Sequence, residues 1–294
     1  MSQFLFNKLY ILQSLTSSDQ KTGEELEKRI NLFSKENKIN FQAVLFDIHS
    51  LEEWEYAWNG IYTSISQLNI IPIIHLVMHG NEDKIGIEKG YKGLIDLFEL
   101  FEKTRKANIL SHNNIMLNMA VCKGLNVIKF ITLGRPMPFG CILASEESLC
   151  NPTSLENFTI YYQSLLKSRN IDVAFESLKT QGQSETGKYY LMKSEQLFAN
   201  VMELYLENKC NGTAIEQRAE EIAKMGGIDI SDPVVKQQLI DDIRKLLPEE
   251  NGKVYESYVN KFFMFDKFPA IKDRFDIPKS FDEFLSWKDA KVNK

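Results

Sequence analysis

Four cysteines and four histidines in 294 residues leave few groups able to carry nucleophilic or proton-transfer chemistry. Cys122, Cys141, Cys150 and Cys210 have no CxxC spacing, so neither a disulfide framework nor a cysteine-built zinc knuckle is indicated, and reduced thiols are expected. A basic excess is missing too. With 35 Lys and Arg against 40 Asp and Glu, the chain lacks the cationic surface that neutralises phosphates or anionic lipid, and no nucleic-acid or membrane partner is expected. The longest apolar run, 70–78, contains Pro72 and His75 and falls short of the ~18 residues that suggest a membrane span. Near the start, Asn7, Lys8 and Gln13 interrupt the apolar stretch and no small-residue cleavage site follows, so the expected location is cytoplasmic. Absence of GxGxxG, GxxxxGK(S/T) and HExxH removes the residues of dinucleotide, P-loop and zincin chemistry, and no cofactor is expected. The glycosylation patterns at Asn157 and Asn211 read as coincidence on the same grounds.

What the chain does have is alternation. Strand patterns at 8–15, 41–49, 69–78, 114–122 and 141–145 are separated by helical patterns, with Thr22/Glu25 and Ser50/Glu53 as candidate capping boxes for the first two helices. A short hairpin arm is expected at 84–88, a helix at about 125–133, and helices at 158–167 and 173–178, then a mobile loop at 179–188 and a last strand at 189–192. This pattern predicts an α/β fold with a mostly parallel sheet flanked by helices. From 193 onward helical patterns dominate, at 197–206, 214–225, 233–247 and 254–265, with a break at Pro248 to Gly252. Two parts are therefore expected, 1–192 and a helical extension over 193–294, the latter with an apolar stripe of Leu197, Val201 and Leu204 and an aromatic core of Phe262, Phe263, Phe265 and Phe268.

Two apolar runs end on reactive residues: His79-Gly80 closes one, and Cys122 closes the next comparable one. Successive parallel strands deliver such residues to one rim of the sheet, where open α/β folds bind ligands. A cysteine nucleophile needs a base nearby and a donor for developing oxyanion charge. His79 supplies the first. The amide of Gly80, unobstructed by a side chain, can supply the second together with that of Cys122. Taken singly, either residue is more often a core thiol or a hydrogen-bonded histidine; the paired placement carries the argument. A zinc site through His75, His79 and His49 is disfavoured because no further ligand can be placed, and no metal is expected.

These segments resemble a known family. IIHLVMHG (residues 73–80) is similar to the hydrophobic block ending in His-Gly, and MLNMAVCKG (116–124) to the block ending in Ala-Cys, of the caspase-like cysteine peptidases of clan CD, with their bacterial CHAT branch the nearest in appearance. Residues 139–178 resemble the CHAT succession of strand, loop, aromatic-bearing helix and short helix, and the resemblance spans roughly 5–192. It implies a caspase-like fold, His79 as base and acid, Cys122 as nucleophile, Gly80 and Cys122 amides as the oxyanion hole, and a regulated endopeptidase acting on protein substrates in bacterial signalling or defence, with a regulatory protein partner as a further expectation. Val121 stands where the commonest motif has alanine. Ala120 stands where metacaspases tend to carry aspartate and caspases glutamine, which leans against a basic P1 side chain; Ala120 and Asp47 are the candidate substrate-pocket residues. The alternatives are a catalytically silent caspase-fold binding or scaffold module and a small-molecule hydrolase using Cys122.

Overall fold

A computed structural model of the chain describes residues 4–86, 95–148, 151–182 and 188–292. The elements run β1 (Lys8–Ser14), α1 (Thr22–Glu36), β2 (Gln42–Asp47), α2 (Leu51–Leu68), β3 (Pro72–Met78), β4 (Lys84–Ile85), β5 (Ile95–Asp96), α3 (Leu97–Leu110), β6 (Met116–Ala120), a 3-10 helix (Gly124–Phe130), β7 (Cys141–Ser145), α4 (Asn151–Ser168), α5 (Ile171–Gln181) and β8 (Tyr189–Lys193). α6 (Ser194–Lys209), α7 (Gly212–Gly226), α8 (Pro233–Phe262), a second 3-10 helix (Pro269–Arg274) and α9 (Phe281–Val292) follow. Two compact units result, Met1–Ile131 with Pro136–Ser194, and Thr132–Arg135 with Glu195–Lys294.

The first unit is α/β. Its sheet has the order β2-β1-β3-β6-β7-β8, with all pairings parallel except β7 with β8. Every residue of β3 is buried, as an interior parallel strand covered on both faces requires. Each fully buried Ile or Leu there contributes about 1.5–3 kcal/mol. One face carries Leu9, Ile11, Ile73, Val77 and Met116 against Leu26 and Ile30 of α1 and Phe158, Tyr161 and Leu165 of α4. On the other face Tyr10 donates to Ser64 of α2, and Trp54 of α2 donates to Glu99 of α3. The chain departs from β1 toward β2 on one side and later returns to β3 on the other, so the strand order reverses between β1 and β3, the place where open α/β sheets form a crevice beyond their carboxyl ends.

Local chemistry explains most boundaries. Ser50 accepts from the Glu53 amide while Glu53 reaches back to the His49 amide, so the second capping box forms around the start of α2. The first does not. α1 begins at Thr22 with no side-chain cap from its own loop, and Gln13 of β1 accepts from the Gly23 amide at 2.9 Å instead. A Cβ at Gly23 would stand 2.8 Å from that Gln13 oxygen, so glycine is what lets the strand cap the helix. The helix expected at 125–133 is a single 3-10 segment, because Gly134, Pro136 and Pro138 follow too closely for an α-helix to propagate. The arm expected at 84–88 is β4 paired with β5, with 87–88 outside the described residues. Of the loop expected at 179–188, Lys179 to Gln181 belong to α5, and 183–187 lie outside the described residues.

The second unit is helical. Its core joins Phe198 to Phe262 and Phe263 at centroid distances of 5.2 and 5.4 Å, and Tyr255 to Phe284 at 5.4 Å. Ile215 and Ala219 of α7 meet Ile240, Ile243 and Leu247 of α8 in a second cluster. The break expected at 248–252 is absent: α8 runs 30 residues through it. Ile240, Ile243, Leu247, Asn251, Tyr255, Val259 and Phe262 are all buried at spacings of three and four, so one continuous stripe outweighs the local breakers. The expected α6 stripe is also corrected, since Leu204 is exposed and the buried positions are Leu197, Phe198 and Met202. Phe262, Phe263 and Phe265 are buried, Phe268 partly. Among the described residues no helix is long and apolar enough to cross a membrane.

Candidate active site

β3 and β6 are paired in parallel with Val77 opposite Ala120. His79 follows β3 directly and Cys122 lies two residues past the end of β6, so both fall beyond the carboxyl ends of paired strands. Contact between the loops is direct: a Cβ on Gly80 would overlap Val121 Cγ1 and lie 2.9 Å from the Cys122 carbonyl oxygen. Only glycine allows this approach without displacement.

Both loops are braced. Gly86 N–H donates to the His79 carbonyl and Asn81 N–H to the Lys84 carbonyl, flanking an antiparallel bridge between Gly80 and Ile85. In such a bridge the central residue's own N–H points away from the partner strand, so the Gly80 amide is turned from Ile85. Asn81 Oδ1 accepts from Asp83 and Lys84 amides, closing the turn. After Cys122 the chain turns sharply at Lys123, φ 55°, whose N–H donates to the Glu147 carbonyl beyond β7. Lys123 Nζ pairs with Glu82 at 2.6 Å and Lys129 with Asp83, so ion pairs join the His-Gly loop to the segment after the cysteine.

Asp19, in the loop after β1, completes the rim. Its Oδ2 lies 2.8 Å from His79 Nε2 and accepts from both the Thr16 amide, at 2.8 Å, and the Thr16 hydroxyl, at 2.7 Å. Partial burial would raise the Asp19 carboxyl, but the His79 and Thr16 donors outweigh it and hold the group below the usual carboxylate range. Neighbouring strands β1, β3 and β6 therefore deliver, in that order, a carboxylate, an imidazole and a thiol. His79 is half exposed, at 51% of its side chain, and Cys122 is partly buried, which is the access a reacting thiol needs. Asp19 was not a sequence candidate. Its signal was Thr16-x-x-Asp19 at a strand end, indistinguishable from any turn until the fold places it beside His79.

Other expected residues fall elsewhere. Asp47 shares a row across the sheet with Gln13, Val77 and Ala120, but β1 and β3 lie between it and Ala120, three inter-strand spacings or about 14 Å. It accepts from Gln13 and pairs with His49 at 3.3 Å, so these two candidates do not line one wall of a pocket. Ala120 is half-buried against the α1/α4-side core. His75 is fully buried, with Nδ1 3.1 Å from Tyr162 OH, and meets the Phe158 ring edge-on at 4.5 Å. Burial lowers it to about 3, so it stays neutral and structural. Cys141 is buried in β7 and Cys150 lies outside the described residues. Among the described residues no group of three or more His, Cys, Asp or Glu is placed to hold a metal ion. A groove in the helical unit, lined by Tyr255, Val259, Lys272, Phe275 and Pro278, includes no histidine or cysteine. No protein-family model matches the chain, and no curated protein matches it.

Proposed function

We propose that this chain is a cysteine endopeptidase with a caspase-like catalytic unit, cleaving protein substrates through His79 and Cys122. One observation carries the reading: Gly80 packs against Val121 and the Cys122 carbonyl beyond the ends of the adjacent strands β3 and β6, so the residue that follows the proposed base lies against the proposed nucleophile. Imidazole 79 takes the Cys122 proton, and the thiolate attacks the scissile carbonyl carbon while the carbonyl electron pair moves onto oxygen. Gly80 and Cys122 N–H groups are the donors in line for that oxyanion, a contribution of about 3–4 kcal/mol where such donors are preorganised. Collapse re-forms the carbonyl and breaks the C–N bond, and the amine leaves with the proton held by His79. Water, deprotonated by the same imidazole, then hydrolyses the thioester and restores the thiol.

The sequence resemblance supports assigning substrates to the protein class and a regulated role in bacterial signalling or defence. It also supports a regulatory partner, for which the helical unit is the natural seat. A peptide acyloxymethyl ketone should label Cys122 alone among the cysteines, and a peptide library should be cleaved by the unaltered protein. Labelling at Cys141 or Cys150, or label without any cleavage, would overturn the reading, the latter in favour of a silent binding module.

A further inference from the structure

The arrangement around His79 goes beyond a two-residue site. We infer that Asp19 is a positioning residue that holds His79 with its proton on Nε2 and stabilises the imidazolium formed during turnover, leaving Nδ1 as the nitrogen that exchanges a proton with Cys122. The inference rests on the peptidase reading above and adds to it the identity of the working nitrogen.

Thr16 anchors the carboxylate. Its amide and hydroxyl both donate to Asp19 Oδ2, and the Asp19 amide donates back to the Thr16 carbonyl, so the carboxylate is fixed before it meets the histidine. That same oxygen lies 2.8 Å from His79 Nε2. A carboxylate is an acceptor only, so a neutral imidazole at this distance must carry its proton on Nε2, and its lone pair is then on Nδ1. Three donors on one oxygen also keep Asp19 ionised, so a negative charge remains beside the ring whenever the ring gains a proton. His79 is half exposed and projects from a loop, where an untethered ring would sample several rotamers; Asp19 reduces that freedom. Asp19 follows β1, which neighbours β3 on the side away from β6, the strand that leads to Cys122.

The full chain, labelled with 15N-histidine, tests this. His79, assigned by loss of its signal in His79→Ala, should show a one-bond 15N–1H correlation at Nε2, and Asp19→Ala should lose it. Iodoacetamide alkylation of Cys122 at neutral pH should slow about tenfold in Asp19→Ala and in Asp19→Asn. Asn keeps an oxygen for all three donors and so keeps the loop, but it removes the charge. In peptide cleavage, Asp19→Asn should lower kcat about 10- to 100-fold with KM nearly unchanged, within the range a positioned acid–base group supplies. An unchanged Nε2 correlation in Asp19→Ala, or wild-type alkylation and kcat in Asp19→Asn, would reduce Asp19 to a brace for its own loop and overturn the inference. Absence of peptide cleavage by the unaltered protein would count against the peptidase reading alone, because the correlation and the alkylation rate need no substrate.

Discussion

Two histidines four residues apart, one inside β3 and one just past its end, have opposite environments. His75, inside β3, is sealed by Tyr162, Phe158 and Asn118; His79, just past its end, is half exposed and faces a carboxylate. Residue type does not separate them; their position relative to the end of the strand does. Within the sheet the ring has a neutral hydroxyl as its hydrogen-bond partner, and burial keeps it uncharged. At the rim the same ring has an ionised partner and water. The comparison teaches that the carboxyl edge, rather than the motif taken as letters, is what makes one of them available for proton transfer.

The largest expected effect breaks the rim row. Cys122→Ala should remove peptide cleavage to below about one part in a thousand, with a change in unfolding free energy under about 1 kcal/mol because the thiol is only partly buried. His79→Ala should follow, with kcat/KM down about 10²- to 10⁴-fold and the melting temperature hardly altered. His75→Ala should do the reverse, leaving activity per folded molecule intact while costing about 2–4 kcal/mol, from the cavity and from the loss of one of the two hydrogen bonds of the Tyr162 hydroxyl, which keeps that from Asn118. Urea unfolding and initial rates on the same preparations separate the two patterns; equal losses of activity at 75 and 79 would break the comparison.

The pH dependence sharpens it. Unfolded His75 binds a proton near its ordinary 6.5, whereas the folded protein refuses it down to about 3. The unfolded state therefore binds more protons in that window, and His75's contribution is fully present above about 6.5 and is lost as pH falls toward 3, by at most about 1.4 kcal/mol per unit. Asp19 adds a smaller loss of the same sign below the ordinary carboxylate range, since its folded value is lowered. Replacing His75 by Gln should flatten the slope between pH 6.5 and 4 in denaturant titrations; an unchanged slope would mean that His75 is not the group refusing the proton.

Gly80→Ala comes next in size. The added methyl would overlap Val121 Cγ1 and crowd the Cys122 carbonyl, so the two loops must part. A tenfold or greater fall in kcat is expected, and Val121→Ala in the same chain should restore part of it, because a shared contact makes the pair non-additive. Equal losses in the single and double variants would place the damage elsewhere.

How much of this was legible follows from the range of the forces involved. The six strands of the large sheet, the Ser50 capping box and the places of His79 and Cys122 just beyond the ends of β3 and β6 are written in local pattern, periodicity and strand-end chemistry, and the sequence carries them. Asp19 is not, since its role arises from a register between β1 and β3 that no local pattern encodes. Gln13 is a similar case: a polar residue in an apolar strand reads as a blemish until it caps α1 from outside. The continuity of α8 was hidden for the opposite reason, because Pro248 and Gly252 are strong local signals overruled by a buried stripe on either side of them. The separation of the pocket candidates Ala120 and Asp47 by β1 and β3 was not legible either, because strand order, unlike strand existence, is a long-range property.

The smallest expected effect concerns the ion pairs that tie the His-Gly loop to the cysteine turn. Lys123 with Glu82 and Lys129 with Asp83 have side chains between 38 and 70% exposed, where screening and side-chain entropy leave about 0–1 kcal/mol per pair. Glu82→Gln should therefore hardly change stability. What it loosens is the loop carrying His79 and Gly80, while Gly86 and Asn81 backbone bonds keep that loop's own turn intact. The expected outcome is a two- to threefold fall in kcat at low ionic strength that disappears at high salt, where the unaltered protein has lost the same contribution. His75 supplies the contrast, because its network is buried and neutral: His75→Gln measured across the same salt series should show a constant difference from wild type. A salt-independent loss in Glu82→Gln would show that the backbone bridge, and not the charge pair, sets the spacing between His79 and Cys122.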